Sequence, residues 1–255
     1  MIFNFVIRGR LGNAIFRYMA CAILCLYYDG EYSINNNQNQ NCNDELFTEI
    51  VNSIIHKKNK INITSGLNMI TYYQQDEIYK LNKESIINFI IKNPSHYVLT
   101  DGFMAGDGNY EKFYMIDIIN TPITFNKKYK NVLHLRLEDF VTCNLYLEKE
   151  RITELLDKNI ISDELCIVCK KLNTEFEFNY IKYIIDYLKN NNIKFFIEHN
   201  DVLTDFYIMK EAEILICSNS TLSWCAAFFS KNIKKCFFPN SKSINKYPVD
   251  NTELY

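Results

Sequence analysis

The stretch VIRGRLGNAIFRYMA, residues Val6–Ala20, links an apolar strand to an apolar helix through two glycines that stand three positions apart. We predict the strand over Ile2–Ile7 and the helix over Asn13–Tyr28. The glycines allow a tight turn and a close approach to a ligand, and the free N–H groups that begin the helix favour an anion. The same residues also suit a plain strand-to-helix turn capped by Asn13, and the stretch alone leaves both interpretations open.

Strands and helices continue to alternate from this elbow to the end of the chain, a pattern that predicts an α/β fold with parallel strands. The polar segment Thr121–Lys130 contains a proline and is the best domain boundary. It separates an N-terminal lobe, residues 1–125, from a C-terminal lobe, residues 126–255. We therefore expect two α/β lobes that face one cleft, with ligands outside the carboxyl ends of the strands.

The remaining expected elements fall into two sets, one for each lobe. In the N-terminal lobe they are strands over Tyr32–Ile34, Ile61–Ile63, Met69–Tyr72 and Tyr97–Leu99, helices over Glu45–His56 and Glu84–Ile91, and loops over Asn35–Asn43 and Asp101–Asn109. In the C-terminal lobe they are strands over Val132–Leu135, Leu165–Cys169, Lys194–Glu198, Ile214–Cys217 and Cys236–Phe238, and helices over Lys149–Lys158, Glu177–Asn190, Leu203–Ala212 and Thr221–Ser230.

The composition of the 255 residues is that of a globular protein, with 48% hydrophobic and 23% charged residues and a net charge of −2. A charge so close to neutral argues against nucleic-acid binding, which leaves a basic footprint. The odd number of cysteines, nine, predicts reduced thiols in a reducing compartment, and we expect Cys166 and Cys169 to be buried thiols because no second pair completes a zinc site. No signal peptide is recognisable and no apolar run reaches roughly 18 residues. We therefore expect a soluble, cytoplasmic protein without a transmembrane segment.

A second unusual stretch is VLHLRLEDF, Val132–Phe140. On a strand, His134 and Arg136 would share one face at the carboxyl end, where a ligand of such a sheet sits. An arginine there offers a fixed fork of donors for phosphate oxygens, and a histidine offers a polar edge for a base or a sugar. The alternative is an ion pair between Arg136 and Glu138 or Asp139.

A third stretch, ILICSNSTLSWCAAFF over Ile214–Phe229, ends an apolar strand on four polar residues, Ser218–Thr221, and then begins a helix. Hydroxyls and free N–H groups at that junction predict a second anion site, although a helix cap explains part of the pattern. Asp205 lies near an earlier helix start, where its carboxylate suits the N–H donors of guanine or, alternatively, the first turn of the helix. The chain has no Asp-x-Asp motif, so the sequence does not indicate a metal on a diphosphate.

Five stretches together resemble the α-1,2-fucosyltransferases, which share a superfamily with the α-1,6- and protein O-fucosyltransferases. The stretches follow the order of the family and span nearly the whole chain. They are RGRLGNAIFRYMA (Arg8–Ala20), LTDGF (Leu99–Phe103), HLRLEDF (His134–Phe140), LTDFYIMKEAEILICSNSTLSWCAA (Leu203–Ala227) and FFPNSK (Phe237–Lys242).

This resemblance implies a GT-B fold of two Rossmann-like lobes and metal-independent, inverting transfer of fucose from GDP-fucose to a glycan hydroxyl. The C-terminal lobe would bind the donor nucleotide, and the N-terminal lobe would lie on the acceptor side. Arg136 would bind the diphosphate, His134 the nucleotide, and Asp205 the guanine. The full set of donor-binding residues implied is Arg10, Gly12, Asn13, His134, Arg136, Asp205, Asn219, Ser220 and Thr221. No metal and no other cofactor is implied.

The chain also departs from the family pattern. Leu137 and Glu138 replace the second Arg and the Gly of the usual His-x-Arg-Arg-Gly-Asp, Ala14 stands where a glutamine is expected, and Cys225 replaces the second residue of Trp-Trp-Gly. These positions lie near the sugar and the phosphate, so another nucleotide sugar or an inactive nucleotide-binding module stays an alternative. A dinucleotide-dependent oxidoreductase is a further alternative, although G-x-x-G is not the G-x-G-x-x-G of that class.

Glycosyl transfer also calls for a base that takes the proton of the acceptor hydroxyl. Within the motif, the candidates are Asp139 and Glu138. Together with Arg136 they form the expected catalytic set.

Overall fold

The structure is a computed structural model that describes residues 2–6, 9–35, 76–101, 110–161, 163–240 and 248–255. Its internal contacts divide the chain into two compact units, Met1–Pro122 and Ile123–Tyr255. Some expected elements lie outside the described residues: the helix over Glu45–His56, the strands over Ile61–Ile63 and Met69–Tyr72, and most of the loops over Asn35–Asn43 and Asp101–Asn109.

The first unit begins with a β–α–β segment and continues with short helices and an antiparallel strand pair. Its described elements are β1 (Ile2–Val6), α1 (Leu11–Tyr28), β2 (Glu31–Asn35), α2 (Asp76–Leu81), α3 (Lys83–Lys92), β3 (Tyr97–Asp101), β4 (Tyr110–Tyr114) and α4 (Met115–Ile119). Strands β1 and β2 pair in parallel, with α1 as the crossover between them. Strands β3 and β4 pair antiparallel, because a parallel crossover needs a dozen or more residues and only eight separate these strands.

Helix α1 is the apolar centre of this unit. Its neighbours hold it by side chains: the Tyr79 hydroxyl donates to the Phe16 carbonyl at 3.3 Å, and the Tyr18 hydroxyl lies 3.1 Å from His96 Nδ1. Within the part of the chain that the structure describes, α1 is the one helix long and apolar enough to cross a membrane by length and composition, with 18 residues and a mean hydropathy of 1.3. However, 78% of that window is buried inside the protein, as expected of a core helix.

The second unit is built on a six-stranded sheet in which every neighbouring pair is parallel. Its strands are β5 (Asn131–His134), β6 (Glu164–Val168), β7 (Lys194–Glu198), β8 (Ile214–Ile216), β9 (Lys235–Phe238) and β10 (Thr252–Leu254). Its helices are α5 (Glu138–Thr142), α6 (Lys149–Leu156), α7 (Glu175–Asn190), α8 (Val202–Glu211) and α9 (Thr221–Phe229).

The strand order of this sheet defines its class. The order is β7-β6-β5-β8-β9-β10. Numbered along the chain, this is the 3-2-1-4-5-6 arrangement of the Rossmann fold. The chain adds β6 and β7 on one side of β5 and then returns to add β8, β9 and β10 on the other side. The topological switch point therefore lies between β5 and β8.

The four central strands, β6, β5, β8 and β9, are almost entirely buried and are nearly continuous runs of apolar residues, as expected of a parallel sheet with helices on both faces. The outermost strands, β7 and β10, are partly exposed. Alternate residues such as Leu133 and Ile167 pack against α6 and α7, with Ile152 and Ile184 in the same cluster. Helices α8 and α9 pack against each other, and α8 also contacts β5 and β6. The unit thus has helices around a parallel sheet, which leaves the carboxyl ends of the strands as the place for polar residues.

The cysteines of the described residues are free thiols. Seven of the eight that the structure describes are buried, and Cys143 is exposed. Burial raises the pKa of Cys166 far above its usual range and that of Cys169 to about 12, so both are protonated. The expectation that these two residues are buried thiols is confirmed.

Candidate functional site

The polar residues after β5 and β8 meet at the switch point of the sheet. Leu133 pairs with Ile216, so the residues that follow each strand leave the sheet side by side. Ser218 Oγ lies 2.9 Å from His134 Nδ1, although 84 positions separate the two residues in the chain. In open α/β sheets, the crevice outside the switch point is where ligands bind.

His134 is enclosed by the sheet and its helices, with 5% of its surface exposed. Burial disfavours the charged imidazolium and lowers the pKa of His134 to about 4. The ring is therefore neutral at pH 7. It can exchange hydrogen bonds with a ligand but offers no charge to a phosphate.

Arg136 supplies the positive charge of this region. The sequence had suggested that Arg136 lies on the strand with His134. Strand β5 ends at His134, however, so Arg136 lies in the loop that follows. Its guanidinium donates from Nε and Nη2 to Asp139 Oδ1, at 3.3 and 3.0 Å, and Nη2 lies 3.1 Å from Glu138 Oε2. Only 16% of the side chain is exposed. The ion pair expected as the alternative is present, but it is largely shielded from water.

A buried carboxylate holds the loop that carries Arg136. Glu138 has a positive φ of 30°, in the left-handed region, and its backbone N–H donates to Glu177 Oε1 at 3.2 Å. The other Glu177 oxygen accepts from the backbone N–H groups of Asn173 and Thr174, at 2.7 and 2.9 Å. Burial alone would raise the pKa of Glu177, but these hydrogen bonds outweigh burial and lower it.

Lys170 completes the charges around the loop. Its Nζ lies 3.3 Å from Glu138 Oε1, so Glu138 is paired with two cations. Arg136 and Lys170 together balance Glu138 and Asp139. The loop therefore carries no net charge before a ligand arrives.

The junction after β8 is a buried helix start. Ser218, Asn219 and Ser220 are all buried, and the Ser220 side chain accepts from the Leu222 N–H at 3.2 Å as the N-cap of α9. The capping interpretation therefore holds for Ser220. Thr221 is the first residue of α9, where the helix N-terminus favours an anion.

Asp205 lies in the first turn of α8, in a polar cluster after β7. It accepts from Asn200 Nδ2 at 3.0 Å, and the same amide donates to Glu198. Burial is the main cause that raises the pKa of Asp205 to about 7, and the nearby charges of Asp201 and Glu198 add to it. Lys127 pairs with Glu198 at 2.8 Å, which leaves Asp205 as the carboxylate of this cluster that readily takes a proton.

The glycine elbow belongs to the first unit. Gly9 has a φ of +86°, and a Cβ on it would lie 2.9 Å from Asn13 Nδ2, so this turn requires glycine. The suggestion that Asn13 caps the helix is wrong, because α1 already begins at Leu11 with Arg10 as its N-cap. Arg10 makes no side-chain cap, and Gly12 and Asn13 lie within the first turn.

Sequence reasoning missed Glu177, Lys170 and Asn200. Glu177 had a usable signal, since Thr174 precedes it by three positions and the pair forms a capping box. The contact of Lys170 with Glu138 depends on the pairing of β5 with β6, for which the sequence carries no local signal. Asn200 contacts Glu198 and Asp205, which are two and five positions away, so its signal was local and was missed. Across the described ranges, no group of three or more His, Cys, Asp or Glu residues is placed to hold a metal ion.

Comparison of the chain with protein-family models, with curated proteins and with solved structures gave no match. The fold class is therefore defined by the strand order of the second unit alone.

Proposed function

We propose that the protein is a glycosyltransferase of the GT-B type, with two Rossmann-like lobes facing one cleft, that transfers fucose from GDP-fucose to a glycan hydroxyl. The observation that carries the proposal is the Ser218–His134 contact at the switch point, with Arg136 two residues beyond. A nucleotide site at this place is what the strand order favours. The family resemblance supplies the sugar, the inverting stereochemistry and the glycan acceptor.

The transfer would proceed by attack of the acceptor oxygen on the anomeric carbon of the sugar. The bond from that carbon to the diphosphate breaks, GDP leaves with the electron pair, and a carboxylate takes the acceptor proton. Arg136 would stabilise the charge that develops on the diphosphate, which is a function that needs no metal. Because Arg136 now binds Asp139, an arriving diphosphate would compete for the same donors and release Asp139 to act as the base.

Asp139 is the better base candidate of the two. Its side chain is 30% exposed, whereas that of Glu138 is 8% exposed and is held by both Arg136 and Lys170. A buried carboxylate that is held by two cations is less able to reach an acceptor hydroxyl than the more exposed Asp139.

A nucleotide-binding module without turnover is the second candidate. It is favoured by the broken family motif, because Leu137 and Glu138 stand where the family has an Arg and a Gly, and Glu138 places a carboxylate on Arg136 at 3.1 Å. Transfer from a different nucleotide sugar is the third, since the departures from the family motif lie near the sugar.

The proposal includes a soluble, cytoplasmic protein whose partners are a nucleotide sugar and a glycan acceptor, with no nucleic acid. The buried α1 and the free cysteines of the described residues support this setting. The family resemblance also assigns donor contacts to Arg10, Gly12 and Asn13 of the first unit.

The test measures binding and turnover separately. GDP at about 100 times its dissociation constant should raise the unfolding free energy by roughly 2.7 kcal/mol, and UDP at the same concentration should do much less. Release of GDP from GDP-fucose should then continue in EDTA. Stabilisation by GDP without release would identify the binding module, and equal stabilisation by UDP would refute the guanine assignment.

A further inference from the structure

The contact between Ser218 and His134 determines where the imidazole carries its proton. The Ser218 side chain and the His134 ring each make one hydrogen bond within the described residues, and it is the bond to each other, 2.9 Å from Oγ to Nδ1. Both residues are nearly inaccessible, at 2% and 5% exposure. A neutral imidazole has one N–H and one bare nitrogen, so its two tautomers present opposite functions to a ligand.

The serine hydroxyl decides between these tautomers. Among the residues that the structure describes, its proton has one acceptor within hydrogen-bond distance, Nδ1 of His134. If Nδ1 carried the ring proton, the hydroxyl would accept, and both the hydroxyl proton and the bare Nε2 would lack a partner among the described residues. With the ring proton on Nε2, the Nε2–H group alone lacks one, so this arrangement leaves fewer buried polar groups unsatisfied. The hydroxyl therefore donates to Nδ1, and the ring proton is on Nε2.

We propose that Ser218 is a positioning residue that holds His134 in the Nε2–H tautomer, so that the site presents an uncharged hydrogen-bond donor to an acceptor oxygen of its ligand. The ligand part of this proposal rests on the proposed function, in which the oxygen belongs to the guanosine diphosphate. Because burial keeps the ring neutral near pH 7, His134 would recognise the ligand by geometry and leave the charge to Arg136.

His199 provides an internal reference with the opposite tautomer. Its Nδ1 lies 2.9 Å from the Cys169 carbonyl oxygen, which can only accept. Nδ1 of His199 therefore carries the proton. Both histidines lie at the carboxyl ends of strands in the same sheet, and their rings should give opposite tautomer signatures in one sample.

The experiment is a long-range ¹H–¹⁵N spectrum of the full chain labelled on its histidine rings, with His134→Ala and His199→Ala used for assignment. We expect the N–H type of shift at Nε2 for His134 and at Nδ1 for His199. A proton on Nδ1 of His134, or an imidazolium at pH 7, would overturn the proposal. This measurement requires no ligand and no turnover.

Two serine variants then test the positioning role. Ser218→Ala should move the Nδ1 shift of His134 and weaken GDP binding about 3- to 10-fold. Ser223→Ala is the matched control, because it removes another buried hydroxyl from the same segment, one that donates to the Ser220 and Ser218 carbonyls. Unchanged ¹⁵N shifts of the His134 ring in Ser218→Ala would refute the role of the serine. If that variant does not fold, the spectrum of the native protein decides which ring nitrogen carries the proton.

Addition of GDP separates this inference from the proposed function. The Nε2–H proton of His134 should shift as it donates to the nucleotide, while the ring of His199 should keep its tautomer. GDP that binds without moving this proton would refute the ligand part. Failure of GDP to bind would refute the proposed function, and the tautomer would still be decided by the spectrum of the free protein.

Discussion

Replacing Arg136 with alanine separates a structural ion pair from a group that acts on a diphosphate. The guanidinium binds Asp139 at 3.0 Å and Glu138 at 3.1 Å, and 16% of the side chain is exposed. An exposed ion pair contributes about 0–1 kcal/mol, and breaking a buried one costs about 3–5 kcal/mol. After the substitution, Glu138 keeps Lys170 and the 30%-exposed Asp139 returns to water. We therefore expect a loss of about 1–2 kcal/mol in the unfolding free energy, between these limits.

The effect on turnover should be much larger than the effect on stability. Negative charge builds on the diphosphate as the transition state forms, and loss of one donor that stabilises this charge costs about 100- to 1000-fold in rate. Arg136→Lys should restore little, because an ammonium group does not reproduce the fork of two parallel donors. The substitution also leaves the Glu138–Asp139 loop with a net negative charge, which should weaken GDP binding.

The assay combines thermal unfolding with steady-state release of GDP from GDP-fucose for each variant. Lys234→Ala is the control variant. Lys234 Nζ pairs with Glu213 at 2.9 Å, and the two residues directly precede β9 and β8, so this ion pair lies at the amino ends of the strands, away from Arg136. That variant should lose one positive charge and keep its turnover. A folded Arg136→Ala protein with nearly native turnover would show that Arg136 is a structural ion pair alone.

Three further predictions concern stability. The raised pKa of Asp205 favours the folded state below about pH 4, and this contribution is lost as the pH rises through about 7. The unfolding free energy from chemical denaturation should therefore decline between pH 4.5 and 8, and Asp205→Asn should lack this decline. The lowered pKa of Glu177 has the opposite sign, so its contribution is present above the unfolded value and lost on acidification; Glu177→Gln should cost about 1–3 kcal/mol at pH 7 and less in acid. Gly9→Ala should cost about 1–3 kcal/mol by thermal unfolding, because of its φ of +86°, and an unchanged melting temperature would refute the strained turn.

The periodicity of the second unit was sufficient to predict its main strands and helices. The strand over Lys194–Glu198 was predicted with the bounds that the structure has, because it lies between a helix end and a polar loop. The expected helix over Thr221–Ser230 ends one residue earlier, at Phe229. These elements are apolar, long enough to show a period, and bounded by polar residues, which is where sequence patterns are most informative.

Elements fixed by distant contacts were not predicted. Helix α5 begins at Glu138 with a positive φ, and the N–H of that residue is satisfied by Glu177, 39 positions away. Strand β10 has three residues, as β8 does, but two of them are polar and the strand is partly exposed, so it lacks the apolar run that marked β8. Of the candidate site, the sequence identified His134 at the carboxyl end of one strand and the polar run Ser218–Thr221 at the end of another, but the contact of His134 with Ser218 depends on the order of strands across the sheet.

That strand order also determines when during folding a ligand could be captured. Strand β5 pairs with β6, which follows it closely, but its other neighbour β8 arrives only after β6, α7, β7 and α8 have passed. Closing so long a segment carries an entropic cost before any contact compensates for it. A refolding chain can therefore hold β5, β6 and β7 together and still lack the serine that orients His134. During refolding, the circular dichroism signal should recover before GDP binding does. GDP binding would then report that β8 has joined β5, whereas circular dichroism reports only that helices and strands are present.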